Sequence, residues 1–241
     1  MKPNLLQLKD LVIGYRGRPL GSPLSISLPS GSRIGILGGN GSGKTTLLKT
    51  LLGLTPPVSG SYSWDEALKF GYVPQEGEID DLFPFTIEDV VAMGAIGSFL
   101  GSPKDRMKGM LSTLELNSLQ GKLYRDLSGG QKQRVLLGRA LFRMPEVLLM
   151  DEPFNNLDYA FRQKVWGQII KWQKEQGLSL LLIEHEINRI INHVDHILLL
   201  GIHKSFAGKT EEILTEEILT EAFEAPLHLH REDGELQVHF L

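Results

Sequence analysis

Between positions 38 and 45 the chain reads Gly-Gly-Asn-Gly-Ser-Gly-Lys-Thr. Gly38, Gly39, Gly41 and Gly43 let the backbone curl tightly with its N–H groups turned to one side, a shape that wraps an anion; Asn40 and Ser42 complete the loop. Lys44 adds a positive charge on a stem long enough to reach the β and γ phosphates of a nucleotide. The Thr45 hydroxyl is a ligand of the kind Mg²⁺ accepts, and Thr46 stands beside it. A glycine-rich stretch alone is only a flexible loop. Here the apolar run 33–37 precedes it and a helical pattern follows from Thr45, and that strand–loop–helix order makes residues 38–46 a phosphate-binding loop.

Cleaving a phosphoanhydride also calls for a base, a metal ligand and donors around the phosphates. The apolar run 147–150 ends in Asp151 and Glu152, two carboxylates at the carboxyl end of a strand, where open α/β sheets gather their sites. Taken alone, such a pair is more often a solvated turn. With the phosphate loop upstream, Asp151 is expected to hold Mg²⁺ through water and Glu152 to orient and deprotonate the attacking water. Residues 127–131 read Leu-Ser-Gly-Gly-Gln and open a helix, with Ser128 at its cap, Gly129 and Gly130 permitting close backbone approach, and Gln131 in the first turn. Helix N-termini bind anions, although an ordinary serine-capped helix has the same composition.

Those groups need elements to hold them in place. Residues 5–15 and 33–37 read as strands, and 45–54 as a helix ended by Gly53 and Pro56; residues 62–74 then read as short strands. From 84 to 127 the pattern turns helical, notably at 87–93 and 104–116. Alternation then resumes with a helix to Phe142, a strand at 147–150, a helix at 160–176 and a strand at 178–184. A short helix, a strand at 196–200, acidic helical segments over 210–223 and a polar tail complete the chain. The expected fold is α/β with a mainly parallel sheet. It has one domain: a core of residues 1–83 and 128–209, an inserted α-helical lobe at 84–127, and a helical/β tail at 210–241.

Residues 127–131 resemble the signature sequence of ABC ATPase subunits, and with the flanking motifs the resemblance covers nearly the whole chain. It implies a P-loop NTPase core with a small N-terminal antiparallel β part, ATP and Mg²⁺ as cofactors, and two copies meeting head to tail. Each ATP then lies between one copy's phosphate loop and the other's Ser128, Gly129, Gly130 and Gln131. Tyr15 resembles the aromatic that stacks on adenine; by itself, a tyrosine at a strand end is more often plain packing. Gln75 resembles the glutamine that touches Mg²⁺ and the attacking water, Asp158 the residue that crosses the dimer interface, and His185 the switch histidine at the γ-phosphate. Around His185 the chain departs from the family, with Glu184 where a hydroxyl residue is usual and Glu186 where Asp is usual.

The resemblance further implies an integral-membrane permease as partner, with a substrate-binding protein in importers, and a place at the cytoplasmic face of the membrane. The lobe, from about residue 76 to 94, is the expected contact with the permease. Residues 83–94 and the short span from Lys44 to Gln75 are similar to ATPases that serve importers of metal ions or metal chelates. Other importers or exporters are the alternatives, as is a soluble ABC ATPase such as an iron–sulfur assembly factor, against which Gln131 weighs.

Composition narrows the classes further. The 241 residues carry a net charge of −4 and no long Lys/Arg run, which disfavours nucleic acid as a partner. No cysteine is present, so disulfides and thiolate metal sites are excluded. No apolar stretch approaches the ~18 residues of a spanning helix. His228 and His230, two apart, would share one strand face and invite a metal, but the sequence offers no clear third ligand.

Overall fold

The computed structural model describes residues 4–65, 68–75, 82–95, 102–154 and 157–241. The strands are β1 (Asn4–Tyr15), β2 (Arg18–Pro29), β3 (Arg33–Gly38), β4 (Ser59–Trp64), β5 (Phe70–Val73), β6 (Val147–Asp151), β7 (Ser179–Ile183), β8 (His196–Leu200), β9 (Phe206–Lys209), β10 (Leu227–Glu232) and β11 (Glu235–Phe240). The helices are α1 (Lys44–Leu51), α2 (Ile87–Ala92), α3 (Pro103–Thr113), α4 (Gly129–Phe142), α5 (Tyr159–Gln176), α6 (Thr210–Ile213) and α7 (Glu216–Phe223). The chain divides into two compact units, Met1–Glu66 with Ser179–Leu241, and Ala67–Leu178.

In the first unit, β1 pairs antiparallel with β2 on one side and β4 on the other. The turn into β2 falls at Arg16 and Gly17, both at positive φ (50° and 77°), which suits the twist of a two-residue hairpin. Behind this small sheet, β3 pairs in parallel with β7 and β8, and β9 runs antiparallel beside β8. The apolar runs of β3, β7 and β8 are buried throughout, as parallel strands covered on both faces require. Arg33 and Asp195 fix where β3 and β8 begin: the Arg33 guanidinium lies 2.8 Å from Asp195 Oδ1, and the Arg33 amide donates to Oδ2 at 2.9 Å.

The second unit pairs β5 and β6 in parallel, Phe70 opposite Val147 through Val73 opposite Met150. Its helical part, which includes the expected lobe, packs closely on α4. A Cβ at Gly138 of α4 would meet Leu114 Cδ1 at 2.9 Å and Val91 Cγ2 at 3.1 Å, so glycine is what lets the elements approach. Thr86 caps α2 in a capping box with Asp89. The expected permease contact begins with residues 76–81, which lie outside the described residues. Among those described, no helix is long and apolar enough to cross a membrane.

Past α7 the tail forms a hairpin. Strands β10 and β11 pair from Leu227–Phe240 to Glu232–Glu235 across Asp233 and Gly234, both at positive φ. On α7, Glu216 Oε1 accepts the Leu229 amide at 2.7 Å and lies 2.8 Å from His228 Nδ1.

Candidate functional site

In the first unit the phosphate loop hangs between the buried end of β3 and the first turn of α1. Gly38 has φ 148°, and a Cβ there would lie 2.2 Å from the Leu200 carbonyl oxygen; Gly43 has φ 97°, and its Cβ would lie 2.9 Å from Ile13 Cδ1. Both positions are closed to any side chain, so the loop's shape is set by β8 on one side and by β1 on the other. Lys44, 7% exposed, donates Nζ to the carbonyls of Gly38 and Gly39 at 2.9 and 3.0 Å and so closes the loop on itself. Helix α1 has Gly43 as its N-cap and receives no side-chain cap. Ser42 Oγ is buried and, among the described residues, finds no hydrogen-bond partner. Gly39, Thr45 and Thr46 are partly exposed, and Asn40 and Gly41 are exposed.

Tyr15 ends β1 as a residue 62% exposed, and the Arg16 guanidinium sits 5.2 Å from its ring centroid. An exposed aromatic at a strand end is available for stacking. His185 follows β7 and is exposed, between the buried Glu184 and the exposed Glu186. Arg189, one short 3₁₀ turn later, reaches both acids: its guanidinium is 3.8 Å from Glu184 Oε2 and is hydrogen-bonded to Glu186 Oε1. Sequence reasoning missed Arg189, although a basic residue four positions after His185 could have suggested a partner for the unusual flanking acids.

In the second unit β6 delivers Asp151 and Glu152, 1% and 3% exposed. Glu152 adopts φ 51°, a left-handed conformation that non-glycine residues rarely hold and that concentrates at functional sites. The Gln75 side chain, two residues past β5, donates Nε2 to Glu152 Oε2 at 2.7 Å. The parallel pairing of β5 with β6 is what brings these two residues together, and it fixes the orientation of the carboxylate.

Ser128 is the N-cap of α4 and forms a reciprocal capping box: its Oγ accepts from the Gln131 amide at 3.4 Å, and its own amide donates to Gln131 Oε1 at 3.0 Å. Ser128 and Gly129 are exposed, and Gly130 and Gln131 partly so. Asp158 caps α5 through the Phe161 amide at 2.8 Å, and that bond, with Arg134 nearby, holds its carboxyl below the ordinary value. Arg134, on the signature helix, forks between Asp158 Oδ2 and Glu115 Oε2, both at 3.1 Å, and lies 3.6 Å over the Phe161 ring. Lys164 completes the group at 2.6 Å from Glu115 Oε1. The chain thus ties its signature helix to the Asp158 cap by charge. Neither Arg134 nor Lys164 was evident from sequence, since their partners lie far along the chain.

At the tail, His228 and His230 stack with ring centroids 5.8 Å apart, and His239 of β11 stacks on His230 at 4.8 Å. The hairpin therefore supplies a third histidine. Among the described residues, however, no group of three or more His, Asp or Glu side chains is arranged to hold a metal ion.

The family model described as ABC transporter matches residues 22–155. The chain is 36% identical to the manganese transport system ATP-binding protein MntB of Bacillus subtilis (strain 168), over 90% of this chain and 92% of that one. It is 34% identical to the zinc transport system ATP-binding protein TroB of Treponema pallidum (strain Nichols), over 90% and 86%. Its fold superposes with TM-score 0.81 on a chain from a metal-chelate type ABC transporter in an inward-facing conformation, 29% identical and covering 99% of this chain and 97% of that one. With a family model matched over more than half its length and relatives this similar over most of it, the chain belongs to the ABC transporter ATP-binding family and is an ATP-hydrolysing subunit of a transport complex with a membrane permease.

Proposed function

We propose that this subunit powers the uptake of a divalent transition-metal ion or a metal chelate, docked at the cytoplasmic face of the membrane. The relatives named for manganese and zinc transport, together with the metal-chelate neighbour, support that cargo. Two copies work head to tail, each ATP held by the phosphate loop of one and by Ser128, Gly129, Gly130 and Gln131 of the other. The lobe, from about residue 76 to 94, meets the permease, and a substrate-binding protein delivers the cargo.

The phosphate loop suits a triphosphate: α1 leaves its first turn without a side-chain cap, and a phosphate oxygen would give the buried Ser42 Oγ the partner it lacks. Lys44 neutralises phosphate charge, Tyr15 stacks on the base, and His185 reads the γ-phosphate. Thr45, Gln75 and Asp151 would hold Mg²⁺. They offer hydroxyl, amide and carboxylate oxygens, the hard donors that ion takes, and Gln75 keeps its Oε1 for this because Nε2 is spent on Glu152. Bound Mg²⁺ would offset the charge of the β and γ phosphates. Glu152 accepts the proton of the attacking water, and Asp158 braces the interface between copies.

One observation carries the hydrolytic assignment: a nearly buried carboxylate, held at positive φ and oriented by a 2.7 Å bond from Gln75. Its test is Glu152→Gln, which should bind ATP, accumulate as a dimer on size exclusion and lose ~10²–10⁴-fold in kcat. Undiminished turnover would remove Glu152 from the role of base. For the cargo, the tagged subunit should co-purify in mild detergent with a multi-spanning protein whose vesicles take up Mn²⁺ or Zn²⁺ with ATP. A set of soluble partners alone would favour an assembly ATPase.

A further inference from the structure

Arg189 occupies an unusual place. It lies on a 3₁₀ turn (Ile187–Arg189) four residues after His185, and its guanidinium spans the two acids on either side of that histidine, Glu184 and Glu186. Glu184 is 1% exposed, and a carboxylate buried to that degree needs a positive partner near it. Arginine's planar fork is the group suited to engage two carboxylates at once.

The turn that bears Arg189 is itself fixed from two sides. Ile187, Ile190 and Ile191 are buried, and a Cβ at Gly35 of β3 would lie 3.0 Å from Ile190 Cδ1, so the turn rests on the strand that leads into the phosphate loop. On its other side Asn188 and Asn192 act as peptide mimics toward β11. Asn188 donates to the Val238 carbonyl at 2.9 Å and accepts the Val238 amide at 2.8 Å; Asn192 does the same with Leu236 at 3.0 and 2.9 Å. The exposed His185 therefore sits on a short segment whose flanking charges are tied to an anchored turn, and the C-terminal hairpin is part of the anchor.

We propose that Arg189 is a positioning residue for His185: by clasping Glu184 and Glu186 it fixes the backbone that presents the imidazole to the γ-phosphate, and Asn188 and Asn192 extend that bracing to the C-terminal hairpin. The inference rests on His185 acting as the switch. It assigns Arg189 no contact with nucleotide, so its loss should act on turnover and not on ATP binding.

The test is steady-state ATP hydrolysis by the full chain. Arg189→Ala should lower kcat about 10-fold with the KM for ATP within about twofold, the pattern of a misplaced group that acts only in the transition state. Arg189→Lys, which keeps the charge but not the fork, should recover part of the loss. Asn188→Ala with Asn192→Ala should show the same split more weakly. If Arg189 acts through His185, the double variant His185→Ala/Arg189→Ala will be no slower than His185→Ala. Should Arg189→Ala fold poorly by circular dichroism, Glu186→Gln, at an exposed position, should still reduce kcat and leave KM unchanged. An unchanged kcat in Arg189→Ala, or losses that simply add to those of His185→Ala, would overturn the proposal while leaving the switch role standing. Full activity in His185→Ala would instead fell the switch reading, and the proposal with it.

Discussion

Two helices of this protein begin at exposed or partly exposed glycine-bearing N-termini, and they are finished in opposite ways. Helix α1 starts after Gly43 in a left-handed conformation and receives no side-chain cap. Helix α4 starts after Ser128, and Ser128 and Gln131 satisfy each other's amides in a closed box. The first end leaves its orphan amides to whatever anion the loop encloses. At the second the box satisfies the amides of Ser128 and Gln131 from within the chain, so this end can stay helical and exposed before the partner's phosphates proposed for it arrive. The contrast fits a division of labour in which one end binds nucleotide by itself and the other engages only in the assembled pair.

The sharpest way to break that contrast is Lys44→Ala. It removes the charge that both closes the loop and meets the phosphates, so kcat/KM should fall ~10²–10³-fold or more, with binding of a fluorescent nucleotide weakened in the isolated chain. Ser128→Arg should separate the two ends. Hydrolysis should fall ~10²-fold, while nucleotide affinity in the isolated chain stays within ~twofold, because the residue would serve the partner's ATP. If affinity falls as far as turnover, the two ends do not divide the work.

A smaller effect distinguishes the regions by acid. Near β3 and β8, burial outweighs the neighbouring charges and holds His193 and His196 below the ordinary histidine value. Groups held below their unfolded-state value stabilise fully above it and progressively less as pH falls, so hydrogen-exchange protection in the first unit should begin to decline below pH ~6.5. Around α4 and α5, the Lys164 bond to Glu115 and the Phe161 amide on Asp158 hold those carboxyls low. By the same sign that network should weaken only below pH ~4. Loss of α4 protection at pH 6 would contradict the assignment.

The phosphate loop was legible in the sequence because its chemistry is local: eight consecutive residues dictate a shape, and the strand and helix around them are periodic. The place of Asp151 and Glu152 at the end of an apolar strand was legible too, but reading them as site residues leaned on the phosphate loop far upstream. Strand β2 was not, since its prolines, serines and Gly21 blur any alternation and its pairing depends on β1. The turn residues Arg16 and Gly17 were its only local signal. The C-terminal hairpin did carry one in Asp233-Gly234, a pair that accepts positive φ, but the polar residues on both sides read as tail. The Arg134 fork was beyond reach for a different reason: its partners lie far along the chain, and only packing decides which charges meet. For the Arg189 clasp the spacing from His185 offered a hint, but nothing local says that Glu184 is buried.

The left-handed backbone at Glu152 also bears on how this protein would respond to selection for heat resistance. Glycine or asparagine would sit at φ 51° with less strain than glutamate, so a screen that rewards survival of the fold alone should drift toward those residues at position 152. The sturdier chains it returned would still load nucleotide at the phosphate loop. They would be motors that seize their fuel and never fire.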